Sequence, residues 1–173
     1  MITDPCLLAI DLAFRNVGLV LLVKGTPIIW GTAKTKAVKR KQDRISDVFA
    51  SECADLSNRL HKIINKYPVK GITAELPNGS QNAIAAKLLG GAVGILAAVA
   101  SCNNIPVEWI SEGDSKTAAF NRRKVTKEES MQWARNKYPV CNFPKAASTF
   151  EHIADALLAY NGLRNGLLIR TFG

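Results

Sequence analysis

The 173-residue chain is poor in the groups on which most easily recognised chemistry depends. It has two histidines and four cysteines, and Cys6, Cys53, Cys102 and Cys141 lie far apart with no Cys-x-x-Cys pair. Zinc-ligand spacing is therefore absent, and so is the pattern of a disulfide-stapled secreted domain. Each cysteine falls in an apolar context, so buried free thiols in a reducing compartment are expected. There is no glycine-rich phosphate loop, internal repeat, low-complexity tract or clear linker. The amino terminus, MITDPCLLAIDLAF, carries Asp4 and lacks the basic stretch of a secretory signal. One long apolar run, AIAAKLLGGAVGILAAVA, contains Lys87 and three glycines and is short for a membrane span. A cytoplasmic protein that stays out of membranes is expected. Its compact size suits a bacterium or a phage-infected host cell.

Acidic residues are outnumbered: 14 Asp and Glu stand against 23 Lys and Arg, a formal charge of +9. A surface this basic suits nucleic acid, and less often an anionic membrane or an acidic partner. With 47% hydrophobic residues, the chain can bury a core as one domain spanning residues 1–173.

Apolar runs at Cys6–Asp11 and Val17–Val23, then PIIWGTA, read as a three-strand meander. Ile45, Val48, Phe49, Cys53, Leu56, Leu60, Ile63 and Ile64 recur at helical spacing. VKGITAE is a strand ending at Glu75, and the loop LPNGS leads into a helix of small residues from about Gln81 to Cys102. A strand VEWIS and a basic connector over residues 111–125 follow. Thr126 with Glu129, and Ser148 with Glu151, have capping-box spacing and open the last two helices. This order predicts an α/β domain with a mixed five-stranded sheet, an antiparallel meander joined to parallel strands and flanked by helices.

Three carboxylates sit where elements present them inward. Asp11 ends the first strand, Glu75 ends the strand after the first helix, and Asp155 lies on the last helix three residues after His152. Sites in open α/β sheets gather beyond the carboxyl ends of strands, where Asp11 and Glu75 meet if their strands are parallel neighbours. Singly, each has an ordinary reading: a turn residue, a cap, or a local surface pair. Together they suit two-metal phosphodiester hydrolysis, in which hard Mg²⁺ ions prefer carboxylate oxygens and two ions about 4 Å apart serve the attacking and leaving oxygens.

The segments AIDLAFRNVGLVLL, ITAELPNGS, AAKLLGGAVG and HIADALLA, in this order over residues 7–160, resemble the RuvC-type Holliday junction resolvases of the RNase H-like superfamily. Asp11, Arg15 and Gly18 stand at the places of that family's first motif, Glu75 at its second, and His152 with Asp155 at its last. The resemblance implies an RNase H-like fold and a Mg²⁺-dependent endonuclease that resolves four-way DNA junctions by symmetric cuts leaving 5′-phosphates. Asp11, Glu75, His152 and Asp155 would be the catalytic and metal-holding set for two Mg²⁺, with Mn²⁺ as a substitute, and His152 would help activate the water. It also implies a homodimer formed through the 81–102 helix, whose Gly90, Gly91 and Gly94 permit close approach of another backbone. Two departures are plain: Leu12, Ala13 and Phe14 replace the family's small turn residues, and LPNGS has no aromatic wedge. Phe14 is expected in the core.

Two basic segments are candidate phosphate contacts. KTKAVKRKQDR holds Lys36, Lys39, Arg40 and Lys41, and the second holds Lys116, Arg122, Arg123, Lys124 and Lys127. Arg15 is a further candidate. Solvated surface is the ordinary alternative for such runs, and packing against the chain's own sheet is the alternative for the small-residue helix. The three tryptophans are expected in or near the core. Competing functions are another RNase H-like nuclease acting on flaps, branches or RNA–DNA hybrids, and a binding module that does not cut. An actin-like nucleotide-binding domain is disfavoured by the missing phosphate loop.

Overall fold

A computed structural model describes residues 2–36, 43–77, 79 and 82–173. The amino-terminal meander is β1 (Cys6–Asp11), β2 (Asn16–Val23) and β3 (Thr26–Lys34). Then come α1 (Ile45–Lys66), β4 (Val69–Leu76), α2 (Ala83–Cys102) and β5 (Val107–Ser111). Four helices close the chain: α3 (Glu112–Phe120), α4 (Lys127–Lys137), α5 (Ala147–Gly162) and α6 (Leu167–Phe172). The sheet order is β3-β2-β1-β4-β5. β1 runs antiparallel to β2 and parallel to β4, and β4 is parallel to β5, so the expected mixed five-stranded sheet is the one found. β1 is buried on both faces, which is why it reads as an unbroken apolar run.

Each face of the sheet carries a core. Leu8, Ile10 and Ile72 meet Leu56 and Leu60 of α1 and Leu96 of α2 on one side. Leu7, Ala9, Val20 and Leu22 meet Phe150, Ile153 and Leu157 of α5 on the other. Phe14 is in the first core, 3% exposed and stacked on Phe49 at 5.4 Å, so the departure LAF from the family's small turn is a packing feature.

Several local expectations need correction. Residues 112–120, expected within a connector, form α3: the Ser111 hydroxyl accepts from the Asp114 amide, and Glu112 and Asp114 supply first-turn acids. Ser148 does not cap α5. That helix starts at Ala147 with Ala146 before it, Glu151 pairs with Lys127, and fully buried Phe150 anchors the first turn. Ile45 lies 85% exposed, outside the stripe that its spacing suggested. All four cysteines are free as expected, but Cys102 at the end of α2 is exposed and only Cys6 is buried. Gln81 lies outside the described residues.

α2 is long and apolar enough to cross a membrane by length and composition, with 22% of its most apolar window buried in the fold. Ala92, Leu96, Val99 and Ala100 enter the core. Gly91 faces the Phe14 and Phe49 rings, whereas a Cβ built on Gly90 or Gly94 would meet open space.

Candidate active site

Strand register places the first two acids. Asp11 pairs in register with Glu75 on the parallel neighbour β4, both at carboxyl ends. Adjacent strands lie about 4.8 Å apart, so the two carboxyl groups share one small volume. On its other side Asp11 is opposite Gly18 of β2. That glycine is a packing requirement: a Cβ there would lie 2.1 Å from the His152 carbonyl oxygen. Its missing side chain lets α5 lie directly on the sheet, and α5 then presents His152 and Asp155 to the strand ends.

His152 Nδ1 stands 2.7 Å from Asp11 Oδ2, and both side chains are largely buried. The carboxylate accepts, so Nδ1 carries the proton and Nε2 is the ring nitrogen left for other work. The hydrogen bond to Asp11 raises the imidazole above its ordinary pKa, against the opposing effect of burial.

Glu75 and Asp155 show how tightly negative charge is gathered. Burial, then repulsion from Asp11, Asp155 and Glu112, pushes Glu75 up to about 8. Burial, then Asp11, pushes Asp155 up to about 7. Lys116 partly offsets both. The cluster therefore holds more negative potential than its surroundings neutralise, the condition that a bound cation relieves.

α3 contributes groups whose place in the site was not legible. Ser115, fully buried, donates to the Glu112 carbonyl oxygen at 2.9 Å and lies 3.5 Å from Glu75 Oε2. Lys116 pairs with Glu112 one turn back, and its side chain is 14% exposed. Burial alone would lower Lys116, but Glu112, Asp155 and Glu75 together hold it above its ordinary value. It is thus the inward cation of the acidic centre rather than a member of an outer basic surface. The i, i+4 spacing of Glu112 and Lys116 behind a Ser cap was the signal available for this helix.

The other basic candidates are distributed differently. Arg15 is bound in bidentate fashion by Glu52 of α1, at 2.9 and 3.2 Å, with Glu52 buried beneath it. Lys36 is exposed, and its backbone amide donates to Asp55 at 2.8 Å. Lys39, Arg40 and Lys41 lie outside the described residues. Arg122 pairs with Glu129, Arg123 stands 3.8 Å from Asp114, Lys127 pairs with Glu151, and Lys124 is exposed. The loop after α3 thus presents Arg123 and Lys124 most openly to solvent. Trp30 packs on Phe143 at 5.1 Å, while Trp109 and Trp133 are half-buried at the edges of the two cores.

Among the described residues, no three His, Cys, Asp or Glu side chains stand ready in a metal-coordinating group. The donor set nevertheless fits a hard divalent ion by its chemistry: carboxylate oxygens and one imidazole, converging from three elements and mutually repelling.

Three antiparallel strands leading into two parallel ones, with acids at the ends of β1 and β4 and on a closing helix, make an RNase H-like fold. Solved structures of this fold that the chain resembles include two of RuvC and one of another Holliday junction resolvase. Thermus thermophilus RuvC in complex with Holliday junction substrate superposes with a TM-score of 0.70 at 18% identity, covering 91% of each chain. The Thermus thermophilus RuvC structure gives 0.67 at 17% identity, over 92% of this chain and 95% of the other. The yeast mitochondrial Holliday junction resolvase Ydc2 gives 0.54 at 14% identity, over 95% and 83%. No family model and no curated protein sequence matches the chain. The fold expected from the motif resemblance is the fold observed.

Proposed function

We propose that this protein is a divalent-metal-dependent, structure-selective DNA endonuclease that resolves four-way junctions. The observation that carries the reading is the convergence of Asp11, Glu75, His152 and Asp155 on one strongly negative point, in a fold shared with a RuvC bound to junction DNA. The basic composition supplies the phosphate affinity that such a centre would otherwise oppose.

Asp11, Glu75 and Asp155 would hold two Mg²⁺, or Mn²⁺ in their place, with His152 beside them. Those ions would supply an activated water and charge stabilisation at the leaving oxygen. The chain's own groups have separable tasks. Asp11 fixes the tautomer and orientation of His152 through Nδ1, so that Nε2 can hold or accept a proton of the attacking water. Ser115 steadies Glu75. Lys116, tethered by Glu112, keeps positive charge within the acidic centre that a phosphate must approach.

Two symmetric cuts need two such centres. The outward row of α2, Ala86, Gly90, Gly94 and Ala98 at four-residue spacing, is exposed and admits a second helix closely. A homodimer through α2 is the arrangement this row supports, and replacing Gly94 with Leu should raise the monomer fraction in sedimentation.

The deciding experiment is cleavage of a synthetic four-way junction in Mg²⁺, beside flap, duplex and RNA–DNA hybrid controls. Paired nicks leaving 5′-phosphates are expected, with Asp11→Asn binding but not cutting. Intact junctions, forks and flaps in both Mg²⁺ and Mn²⁺ would refute the reading. Preferential cutting of hybrids would assign the same acids to a different RNase H-like substrate.

A further inference from the structure

Of the six phenylalanines, Phe120 alone belongs to neither core. It ends α3 half-buried, with its ring 6.4 Å from that of Trp133 on α4 and the planes 51° apart. Tyr138 supports Trp133 edge-on at 6.5 Å. The corner made by the two rings opens into a cleft of about 500 Å³ lined by Phe120, Glu129, Gln132, Trp133, Asn136 and Lys137. The α4 members recur at helical spacing, so one face of that helix forms the wall.

The lining is specific in chemistry. Gln132 Nε2 donates to Asn136 Oδ1 at 2.8 Å on the exposed rim, which leaves the Gln132 carbonyl as an acceptor and the Asn136 amide as a donor. Two cations flank the rings, each already partnered: the Arg122 guanidinium, paired with Glu129, lies 6.0 Å from the Phe120 centroid, and Lys137 Nζ, which donates to Asn161 Oδ1, lies 5.3 Å from that of Trp133. Arg123 and Lys124 continue the loop, exposed. A purely apolar ligand would leave the amides unused, and a paired base keeps its faces inside the duplex. An unpaired nucleotide matches the rings, the amides and the basic loop: a planar face for stacking, an edge for the amides, and a phosphate for the exposed Arg123 and Lys124.

The cleft is also well placed. From Glu112 to Phe120 is eight residue-to-residue rises of helix, about 12 Å, and the Glu112 end adjoins the carboxylate centre through Ser115 and Lys116. A stacked strand advances about 3.4 Å per nucleotide, so the span corresponds to roughly three or four nucleotides. We propose that the Phe120–Trp133 cleft holds one unpaired base of the DNA strand whose backbone reaches the carboxylate centre. The proposal rests on the junction-nuclease reading and adds where the protein engages the unpaired nucleotides of its substrate.

The test is photocrosslinking with 5-iodouracil, placed singly at each position within six nucleotides of a junction crossover and in single-stranded DNA. The Asp11→Asn protein holds the DNA uncut, and mass spectrometry locates the adduct. Adducts on Phe120 or Trp133 are expected from positions within about four nucleotides of the scissile phosphate, and none from uninterrupted duplex. In parallel, Phe120→Ala should weaken junction binding about ten- to hundredfold, as loss of one base stack does. Phe120→Tyr should restore binding, and duplex binding should not change. A melting curve for each variant separates these effects from misfolding. Adducts confined to other residues, or junction binding by Phe120→Ala equal to wild type, would overturn the proposal. If wild type cuts no branched DNA while the single-strand adduct still forms on Phe120, the nuclease reading fails and the base site stands. Cutting without that adduct sinks the base site alone.

Discussion

Replacing Glu75, a buried acid of the carboxylate cluster, should make the metal-free protein more stable. Glu75 is an ordinary carboxyl in the unfolded chain but is pushed to about 8 in the fold by burial and by Asp11 and Asp155. The folded state therefore holds a proton that the unfolded chain releases. Stability is undiminished below about pH 4, falls as pH climbs, and levels off above about 8. Moving the carboxyl from 4.5 to about 8 corresponds to a ceiling near 5 kcal/mol, at about 1.36 kcal/mol for each tenfold change in proton affinity. Repulsion shared with Asp155 belongs to both acids and cannot be counted twice, which brings the expectation to about 2–4 kcal/mol. Glu75→Gln keeps the shape, can donate its amide to the Ser115 oxygen, and removes the charge. In EDTA at pH 8.5 its Tm should exceed that of wild type by roughly 4–16 °C for a domain of this size. At pH 4 the two should coincide. Saturating Mg²⁺ should raise wild type far more than the variant, since binding to the folded state alone stabilises it. Equal melting at pH 8.5 in EDTA, or a less stable variant, would refute the picture of an uncompensated acidic centre.

Three further expectations follow from the same geometry. Asp11→Asn removes the partner that raises His152, so an NMR titration of that imidazole should shift to lower pH in the variant. Gly18→Ala forces α5 away from β2 at His152, with an expected cost of about 2 kcal/mol or more from overpacking and a loss of cleavage, read by denaturant melts and the junction assay. Arg15→Ala leaves Glu52 buried without its partner and should destabilise by about 1–3 kcal/mol, while Glu52→Gln, which frees the guanidinium, should tighten DNA binding and steepen its salt dependence by about one phosphate contact.

How much could be read beforehand differed from element to element. The first strands were plain because β1 and β2 are buried on both faces and leave nearly unbroken apolar runs. The four convergent residues were legible because each ends a strand or lies beside its partner on one helical turn. α3 was hidden: its residues EGDSKTAAF have almost no apolar stripe, and what holds it is an N-cap and packing against α5. The roles of Ser115 and Lys116 were lost with it, since a lysine in a basic stretch reads as surface until the helix that turns it inward is known. Arg15 was opaque for a related reason. Its partner Glu52 is 37 residues away on a helix face, and only the packing of α1 on the sheet brings them together. Gly18 was noticed as a motif residue, but its reason, the His152 carbonyl, lies on the far side of the sequence.

β1 is the strand at which the sheet changes direction, antiparallel to β2 and parallel to β4. Asp11 at its end waits for a neighbour 64 positions later and a histidine 141 positions later. Local pairing forms the meander first, because short loops close at small entropic cost, whereas the distant partners arrive with the last helices. A half-folded chain, or one still emerging from synthesis, can thus hold its sheet strands without an assembled centre. The four convergent residues therefore meet only when the fold is complete, so a metal-binding response in a truncated chain lacking α5 is not expected.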